Sequence, residues 1–379
     1  IYKMAIAGGN ITLDSTEGMD KITQTEKVTS PYFSNGATVM ADTAVESSSL
    51  SDTNEKYFFG ISHTDTLTTE EFNVTFGSLN GFGANVEANT KSETEVIYKQ
   101  FANMLLAPTE VTGGFKIAIG GSDPAKGNDA GVLTGKDTEI YVMAATRTNM
   151  KDRINKGTWE IKFAGTTAAG GVVAGLHVID DSSTTEATAT PVGDRYNIVS
   201  GSQTNGVFTS SKHYGHFYPD MGMMVFSAAE LSASIPGKDN ATEVETIFGA
   251  TGSQDGFHYS KTTNLDSKPA LRLIRCLSTG SALASQKPSL TFRDEEDQVS
   301  AQYFCRVRSG QMNFSNNPTF VSGSLNELRQ ATMKGNPNTF ISSVQLYNDA
   351  GDMVAVGNLS TPLKKNFSSE ATIKVKLTY

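Results

Sequence analysis

Two histidines and a carboxylate lie close together in the segment HYGHFYPD, at His213, His216 and Asp220. Neutral imidazole nitrogens and a nearby carboxylate oxygen are ligands that suit zinc or nickel. The HExxH pattern of a helical zinc site is missing, however, and the segment is rich in aromatic residues, namely Tyr214, Phe217 and Tyr218. Aromatic residues at this density favour a packed core or an aromatic interface. We therefore interpret the histidines as core residues and assign no metal site.

A second group of possible metal ligands is the acidic run Asp294, Glu295, Glu296 and Asp297. Carboxylate oxygens of this kind could bind Ca²⁺. The run lacks the alternating ligand positions and the turn glycine of an EF-hand loop. We favour a solvated acidic loop over a calcium site.

The motifs of a P-loop and of a serine nucleophile are missing, whereas a cysteine nucleophile would need an activating histidine that a sequence pattern does not reveal. Both Gly-Lys pairs of the chain, Gly135-Lys136 and Gly237-Lys238, are followed by Asp instead of the Ser or Thr of a P-loop. The glycine-rich stretch at 77–83 has no helical pattern directly after it and predicts a β-turn, and a GxSxG elbow is absent. We assign no catalytic or cofactor-binding residue and predict that the protein is not an enzyme. A glycan hydrolase, whose carboxylates leave no local signature, stays open as an alternative.

The two cysteines of the chain are Cys276 and Cys305. Two cysteines are too few for a disulfide scaffold, and their number and spacing do not fit a four-cysteine zinc site. A bridge between them is the alternative to two unpaired thiols. We expect free, half-buried thiols.

Composition indicates that the elements carrying these residues are mainly strands. Hydrophobic residues make up 38% of the 379 residues, and 35 residues are glycine. Glycine adopts positive φ readily and Asn or Ser side chains bond their own backbone, so turns and short strands are favoured over long helices. The net charge of −9, without a Lys/Arg-rich run, argues against nucleic acid as a partner. The apolar stretches fall short of the ~20 residues of a membrane helix.

One helix is predicted at 92–108, in the sequence SETEVIYKQFANMLLAP. Ser92 can cap its start, and Pro108 is expected to end it. Apolar residues recur at helical spacing between these two positions. They are Val96, Ile97, Phe101, Met104 and Leu105.

Alternation of apolar and polar residues predicts strands in the first half of the chain. Phe72, Val74 and Phe76 alternate with Asn and Thr in FNVTF. In GTWEIKFAG, at 157–165, the apolar positions are Trp159, Ile161 and Phe163. Such a pattern is typical of a strand with one buried and one solvated face.

The strand signal is strongest near the C-terminus. In SVQLYNDAGDMVAVG, Asn348 and Asp349 open a turn whose left-handed position suits Gly351, which predicts a hairpin. The last segment, ATIKVKLTY at 371–379, places its apolar residues on one face and Lys374 and Lys376 on the other.

These patterns predict a mainly β, multi-domain protein with β-sandwich or barrel-like domains, one or two short helices and an extended N-terminal arm. The expected divisions are an arm at 1–55, a β-rich domain with one helix at 56–200, a middle β-rich region at 201–288, and a C-terminal β domain at 289–379. The arm carries few large apolar residues and many Thr, Ser and Asp. We expect it to lie on a neighbouring subunit, with KITQTEKVTS (21–30) as the pairing strand.

The C-terminal amino-acid sequence resembles that of a known group of proteins. The runs YFCRVRSGQMNFSNNPTFVSGS, GNPNTFISSVQLYNDAGDMVAVGNLSTPLKKNF and ATIKVKLTY, within 299–379, resemble virion structural proteins of T4-like marine and cyanobacterial phages. Two further patches, at 148–163 and at 189–201 with 213–237, are similar to the same proteins. The resemblance implies a role in the particle without implying a reaction, and it carries over no functional residue.

The leading functional hypothesis is therefore a structural component of a tailed-phage virion, on the head surface, neck or tail. Its expected partners are copies of itself and other virion proteins, with no cofactor, no direct nucleic acid contact and no membrane. The alternative is a glycan- or receptor-binding module of a fibre or envelope. In that case aromatic side chains could stack on sugars, the candidates being Trp159, Tyr214, Phe217 and Tyr218. Trp159 alternates with strand residues, so we expect that ring in the core.

Overall fold

The structure is a computed structural model. It describes residues 3–6, 9–12, 20–30, 43–45, 58–63, 70–82, 93–111, 114–117, 136–148, 150–167, 169, 171–237, 256–257, 269–277, 289–322 and 327–379.

Strands dominate, which confirms the expected β-rich fold. In chain order they are β1 (Lys3–Ile6), β2 (Gly9–Thr12), β3 (Lys21–Ser30), β4 (Thr43–Val45), β5 (Phe58–His63), β6 (Glu70–Ser78), β7 (Glu139–Ala145), β8 (Arg153–Ile154), β9 (Glu160–Thr166), β10 (Val172–Asp180), β11 (Thr188–Thr190), β12 (Gly193–Ser202), β13 (Gly206–Tyr218), β14 (Met223–Ser227), β15 (Ser289–Thr291), β16 (Asp294–Val307), β17 (Val321–Ser322), β18 (Glu327–Leu328), β19 (Thr339–Tyr347), β20 (Met353–Lys365) and β21 (Ala371–Thr378).

The helices are short. Among the described residues they are α1 (Glu93–Leu105), α2 (Pro108–Val111), α3 (Ala228–Ser234) and α4 (Ala270–Leu277), and a 3-10 turn lies at Ala331–Met333. Within the described ranges, none of them has the length and apolar character that a membrane-crossing helix requires.

The chain divides into two compact units. The large unit comprises residues 29–296, and the small unit comprises residues 1–28 together with 297–379. The expected middle region at 201–288 is not separate, because its strands β13 and β14 hydrogen-bond to β12 and β7 of the preceding region. The C-terminal boundary lies near 297 instead of 289, because β15 pairs with β9 in the large unit.

The N-terminal segment joins the chain's own strands. β1 pairs with β19 in antiparallel register, and β3 is a neighbour of β16. The expectation that this arm lies on a neighbouring subunit is therefore corrected, since its strands complete sheets of its own chain. Strand addition needs only an open sheet edge, and the C-terminal strands provide one. Residues 1–2, 7–8, 13–19, 31–42 and 46–55 of the expected arm lie outside the described residues.

The large unit is built on one antiparallel sheet. Its strand order is β15, β9, β10, β12, β13, β14, β7, β6, β5 and β4, with β11 paired to β12. The strands predicted in FNVTF and in GTWEIKFAG are β6 and β9, and their apolar side chains are buried. The glycine-rich stretch forms the predicted turn, since Gly81 N–H donates to the carbonyl of Ser78 and Gly81 has φ +76°.

The sheet curls around an apolar core. Phe72 of β6 and Phe292, which follows β15, come from far ends of the strand order, yet their ring centroids are 4.6 Å apart. α4 packs against β9, β6 and β5 and so fills the space that the curl encloses. Its residues Leu273, Ile274 and Leu277 are fully buried there.

The opposite face of this sheet is covered by α1. Its bounds agree with the predicted helix, but the buried face differs, since Tyr98 and Ala102 are buried while Val96 is 54% exposed. The Tyr98 hydroxyl donates to the carbonyl of Asp137 at 2.7 Å and accepts from the N–H of Phe115 at 3.1 Å. These two buried hydrogen bonds hold Tyr98 toward the sheet and so set the rotation of the helix. The free energy lost by exposing Val96 is smaller than the cost of breaking both bonds.

Two sheets of the small unit share one core, and β17 and β18 form a separate two-stranded sheet. One has the order β2, β1, β19, β20, and the other contains β21, β16 and β3. Their common apolar cluster is Ala301, Tyr303, Cys305, Val307, Ile341, Val344, Leu346 and Ala371. Side chains from β16 and β19 thus meet as in a small β-sandwich.

The predicted C-terminal hairpin and last strand are confirmed. β19 and β20 pair in antiparallel register around a turn in which Gly351 has φ +91° and Asn348 N–H donates to the carbonyl of Asp352 at 3.0 Å. In β21 the apolar residues are half-buried, whereas Lys374 and Lys376 are exposed.

The two cysteines form no disulfide with each other, and both are fully buried. Cys276 lies in α4 and Cys305 lies on β16, so each belongs to the core of its own unit. Burial raises the pKa of the Cys305 thiol to about 11, and the nearby negative charge of Asp20 adds to this shift. The expectation of free thiols is confirmed, with more burial than expected.

Candidate assembly surface

The histidines of HYGHFYPD lie inside the large unit. His213 and His216, on β13, are 6% and 4% exposed. Burial first, and then the positive charge of Arg195, hold the pKa of His216 well below its ordinary value. Asp220 is half-exposed, with its Oδ1 3.5 Å from Nη1 of Arg153. The core interpretation agrees with this burial, and no group of three or more potential metal ligands occurs within the part of the chain that the structure describes.

The acidic run at 294–297 begins a strand, so the expected solvated loop was wrong. Its first two residues, in β16, pair with β8 in antiparallel register. Glu295 Oε1 lies 3.1 Å from Nε of Arg153, and Glu296 forms an ion pair with Lys151. These cations compensate the carboxylates, which allows an acidic sequence to enter a sheet.

Asp294 is the carboxyl of this run with the most unusual environment. Its side chain is 3% exposed, and Oδ1 has no hydrogen-bond partner among the described residues. Its pKa is raised to about 6, mainly by burial; the backbone N–H and charge of Lys151 oppose the shift, and the charges of Glu71 and Glu296 add to it. The folded protein therefore retains this proton to a higher pH than the unfolded chain does.

We predict that Asp294→Asn stabilises the large unit at pH 7 by about 1–3 kcal/mol. Between the unfolded pKa of 3.8 and the folded pKa of about 6, the unfolded chain ionises first, so native stability falls as the pH rises through this window. The asparagine cannot ionise and escapes this loss. Urea unfolding at pH 4 and pH 7 measures it, with Asp152→Asn, at an exposed carboxylate, as control. A gain at pH 4 as large as that at pH 7 would contradict the assignment.

The aromatic residues proposed for sugar stacking are in the core. Tyr214, Phe217, Tyr218 and Trp159 are each at most 6% exposed. Trp159 stacks on Phe292 with centroids 5.7 Å apart and planes 9° apart. The core position expected for Trp159 is confirmed, and the other three rings are corrected from candidate surface residues to buried ones.

Exposed large apolar side chains concentrate in the small unit instead. Among the residues whose burial the structure describes, the large unit contributes Phe58, Val96 and Phe208. The small unit contributes Ile22, Phe314, Phe340, Met353, Val354, Val356, Leu363, Phe367 and Tyr379. A concentration of this kind on a folded protein marks an interaction surface.

The centre of this apolar region is strand β20. Met353, Val354 and Val356 are 56%, 51% and 59% exposed, and Leu363 near the end of the strand is 38% exposed. In the described part of the sheet, β20 is the outermost strand, and its pairing with β19 shifts register at Val354 and again between Asn358 and Leu363. An apolar edge strand can offer main-chain groups to another strand, although bulges and Pro362 interrupt this edge. We call β20 and these four side chains the assembly edge.

The assembly edge carries opposite charges at its two ends. Asp352 stands immediately before β20 and Lys364 is the penultimate residue of the strand. Both side chains are exposed. A charged partner would therefore bind the strand more favourably in one orientation than in the other.

The far end of the edge is anchored by a buried lysine. Lys365 is 0% exposed, and its Nζ donates to Ser309 O at 2.9 Å, Asn313 Oδ1 at 2.8 Å and Asn366 O at 2.8 Å. Three acceptors use all three protons of the ammonium group. The end of β20 is thus held to the loop at 309–313 inside the small unit.

A shallow groove lies on the same unit. It has a volume of about 60 Å³ and lies between the exposed rings of Phe314 and Phe340, with hydroxyls of Ser315, Ser342 and Ser343 along it. Small-molecule sites usually have several hundred Å³. This groove is therefore too small to enclose a substrate.

Sequence reasoning missed the assembly edge and Lys365. The run MVAVG was assigned to a strand, but the alternation of side chains does not tell an edge strand from a central one. One local signal was present. Met353 and Val354 are adjacent and both apolar, so at the start of the strand each of the two faces carries an apolar residue.

No protein-family model matches the chain, and no curated protein or solved structure is significantly similar to it. The resemblance of residues 299–379 to phage virion proteins therefore stays a prediction. The function has to be inferred from the assembly edge and the groove of the small unit.

Proposed function

We propose that this protein is a structural component of a tailed-bacteriophage virion, on the head surface, neck or tail, and that it acts by self-assembly. Its partners are then copies of itself and other virion proteins, and its location is the virion. The observation that carries the proposal is the assembly edge, a long apolar strand at the margin of a sheet.

Physical considerations favour assembly over catalysis. The polar clusters of the two units serve to hold strands and loops together, as Lys365 does for the loop at 309–313. The residues that could do chemistry are used in packing, since His213 and His216 are buried in β13. Virion proteins need extended contacts that repeat with symmetry, and open strand edges provide such contacts from the main chain alone.

The test is the protein composition of purified particles. Virions banded in a density gradient from the phage that encodes this chain should contain it in many copies by quantitative mass spectrometry. Antibody labelling in the electron microscope should then show one position in the particle. Absence of the chain from banded virions, with abundant chain in the infected-cell lysate, would overturn the proposal.

A glycan- or receptor-binding module is the second candidate function. The groove between Phe314 and Phe340 favours it, because exposed rings beside hydroxyl groups can stack on a sugar and bond its edges. Binding to a glycan array that is lost in Phe340→Ala and retained in Phe208→Ala, which removes an exposed ring of the large unit, would support this candidate over pure assembly.

A further inference from the structure

We infer that the small unit contains a self-modification site, at which the side chains of Lys365 and Asn313 join through an amide bond. The amine of Lys365 replaces the amide nitrogen of Asn313, and ammonia leaves. The bond ties the end of β20 to the loop that follows β16 and closes a loop that spans 52 residues. This inference goes beyond the proposed virion role and does not depend on it.

The two reacting groups are already in contact. Nζ of Lys365 lies 2.8 Å from Oδ1 of Asn313. The carbonyl carbon Cγ is bonded to this oxygen at ~1.2 Å, so it lies within about 4 Å of Nζ. Reacting atoms in productive arrangements are ~3–3.5 Å apart, and a shift of about 0.5 Å therefore suffices for attack.

The entering and the leaving nitrogen atoms share one hydrogen-bond acceptor. Lys365 Nζ donates to the carbonyl oxygen of Ser309 at 2.9 Å, and Asn313 Nδ2 donates to the same oxygen at 2.6 Å. This oxygen holds the two nitrogen atoms close to each other and keeps Oδ1 of the carboxamide directed at the lysine. A proton that passes from the entering to the leaving nitrogen therefore has a short path.

The loop that carries Asn313 is held in an unusual backbone conformation. Met312, the preceding residue, has φ +57°, in the left-handed region that residues other than glycine rarely adopt. Thr339 Oγ1 donates to the carbonyl oxygen of Met312 at 2.6 Å and so stabilises this conformation. Backbone strain of this kind is common at functional sites, where it presets the geometry of a reactive group.

Burial makes the lysine more reactive. Lys365 is 0% exposed and Asn313 is 5% exposed, and the three hydrogen-bond partners of the ammonium group are all neutral. Burial lowers the pKa of Lys365, and the charge of the exposed Glu370 opposes this shift. The neutral amine, which is the nucleophile, is therefore formed more easily than at an exposed lysine. The product amide is uncharged, so the cost of burying an ammonium group disappears.

The reaction balances without another reactant. The ammonium group loses one proton to solvent, the lone pair of Nζ forms a bond to Cγ of Asn313, and the bond between Cγ and Nδ2 breaks. A second proton passes from Nζ to Nδ2, which leaves as ammonia and takes up the first proton in solution. Burial keeps water away from the carbonyl group and so suppresses hydrolysis. Amides are weak electrophiles, so the reaction is slow, and the hydrogen bonds of Lys365 described above are those of the chain before it.

Intact-mass spectrometry of the full chain tests this inference. Freshly purified chain is kept folded for one week at about pH 9, which favours the neutral amine, and a parallel sample is kept unfolded in urea. The folded sample should lose the mass of one ammonia molecule, and the unfolded sample should not. Proteolysis of the folded sample should then yield a branched peptide that contains both Lys365 and Asn313, and trypsin should no longer cleave after Lys365.

Matched variants identify the groups that react. Lys365→Met retains most of the stem without the amine, and Asn313→Asp retains the shape of the side chain without the leaving nitrogen, so neither should release ammonia. Lys364→Met, at the exposed neighbouring position, should release it like the natural chain. The rate in the natural chain should rise with pH and level off below the ordinary lysine pKa of 10.5.

Three results would overturn the inference. The first is an unchanged mass of the folded natural chain after the week, and the second is a loss of ammonia that persists in Lys365→Met or in Asn313→Asp. The third is a loss of ammonia without the branched peptide, because the ammonia would then come from cyclisation of another asparagine. None of these results bears on the proposed virion role, which is judged from the composition of banded particles.

Discussion

Trp159→Ala is expected to destabilise the large unit by about 3–5 kcal/mol. The indole is fully buried between Phe292, on which it stacks, and Phe217, which meets it edge-on with centroids 5.3 Å apart. Phe292 and Phe217 come from distant parts of the sheet. The substitution would therefore leave a cavity at the place where these two parts of the curled sheet meet. Urea unfolding followed by far-UV circular dichroism measures the loss.

Two companion variants separate packing from other effects. Trp159→Phe keeps an aromatic ring and removes an indole N–H that has no hydrogen-bond partner among the described residues, so it should cost less than about 1.5 kcal/mol. Phe58→Ala removes a 57% exposed ring from the same unit and should change the free energy of unfolding by less than about 0.5 kcal/mol. Equal losses in Trp159→Ala and Phe58→Ala would show that the indole is not a core residue.

Local patterns predicted those parts of the fold that neighbouring residues determine. The hairpin at Asn348 to Gly351 depends on a turn of four residues, and only glycine accepts φ +91° without strain. The helix at 92–108 was recognisable by its apolar period and by Pro108, even though Tyr98 sets which face is buried.

Long-range pairing explains the divisions that were missed. β14 lies beside β7, which precedes it by about 80 residues, and no local signal in either strand encodes that choice. The separation of a middle region at 201–288 followed from its dense aromatics, which in fact complete the core of the preceding strands. β1 likewise reaches β19 across most of the chain.

Helix α4 was missed for a different reason. Its sequence, ALRLIRCL, spans eight residues, too few to show a clear apolar period. Leu273, Ile274, Cys276 and Leu277 are all fully buried, because α4 is enclosed by the curled sheet. Arg272 and Arg275 are its polar positions, three residues apart, but two turns of this pattern are too few to tell a helix from a short strand.

Lys365→Ala should destabilise the small unit by about 2–4 kcal/mol. The substitution leaves three acceptors, Ser309 O, Asn313 Oδ1 and Asn366 O, without their ammonium donor, and it leaves a cavity where the lysine stem was packed. Nothing in the sequence distinguished this residue from its neighbour, since lysine is among the residues least often buried. Lys364→Ala is therefore a closely matched control, one position away and exposed, with an expected change below about 0.5 kcal/mol.

Native-state hydrogen exchange of the β16 and β19 amides measures this loss within the small unit. Lys365→Met retains most of the apolar stem and removes only the donors, so the part of the loss that it reproduces is the contribution of the hydrogen bonds. Since Lys365 ends β20, its removal should also speed the exchange of the amides near the end of that strand. If Lys365→Ala exchanges like the natural chain, the buried ammonium is not what anchors β20, and the order of that edge must come from its pairing with β19 alone.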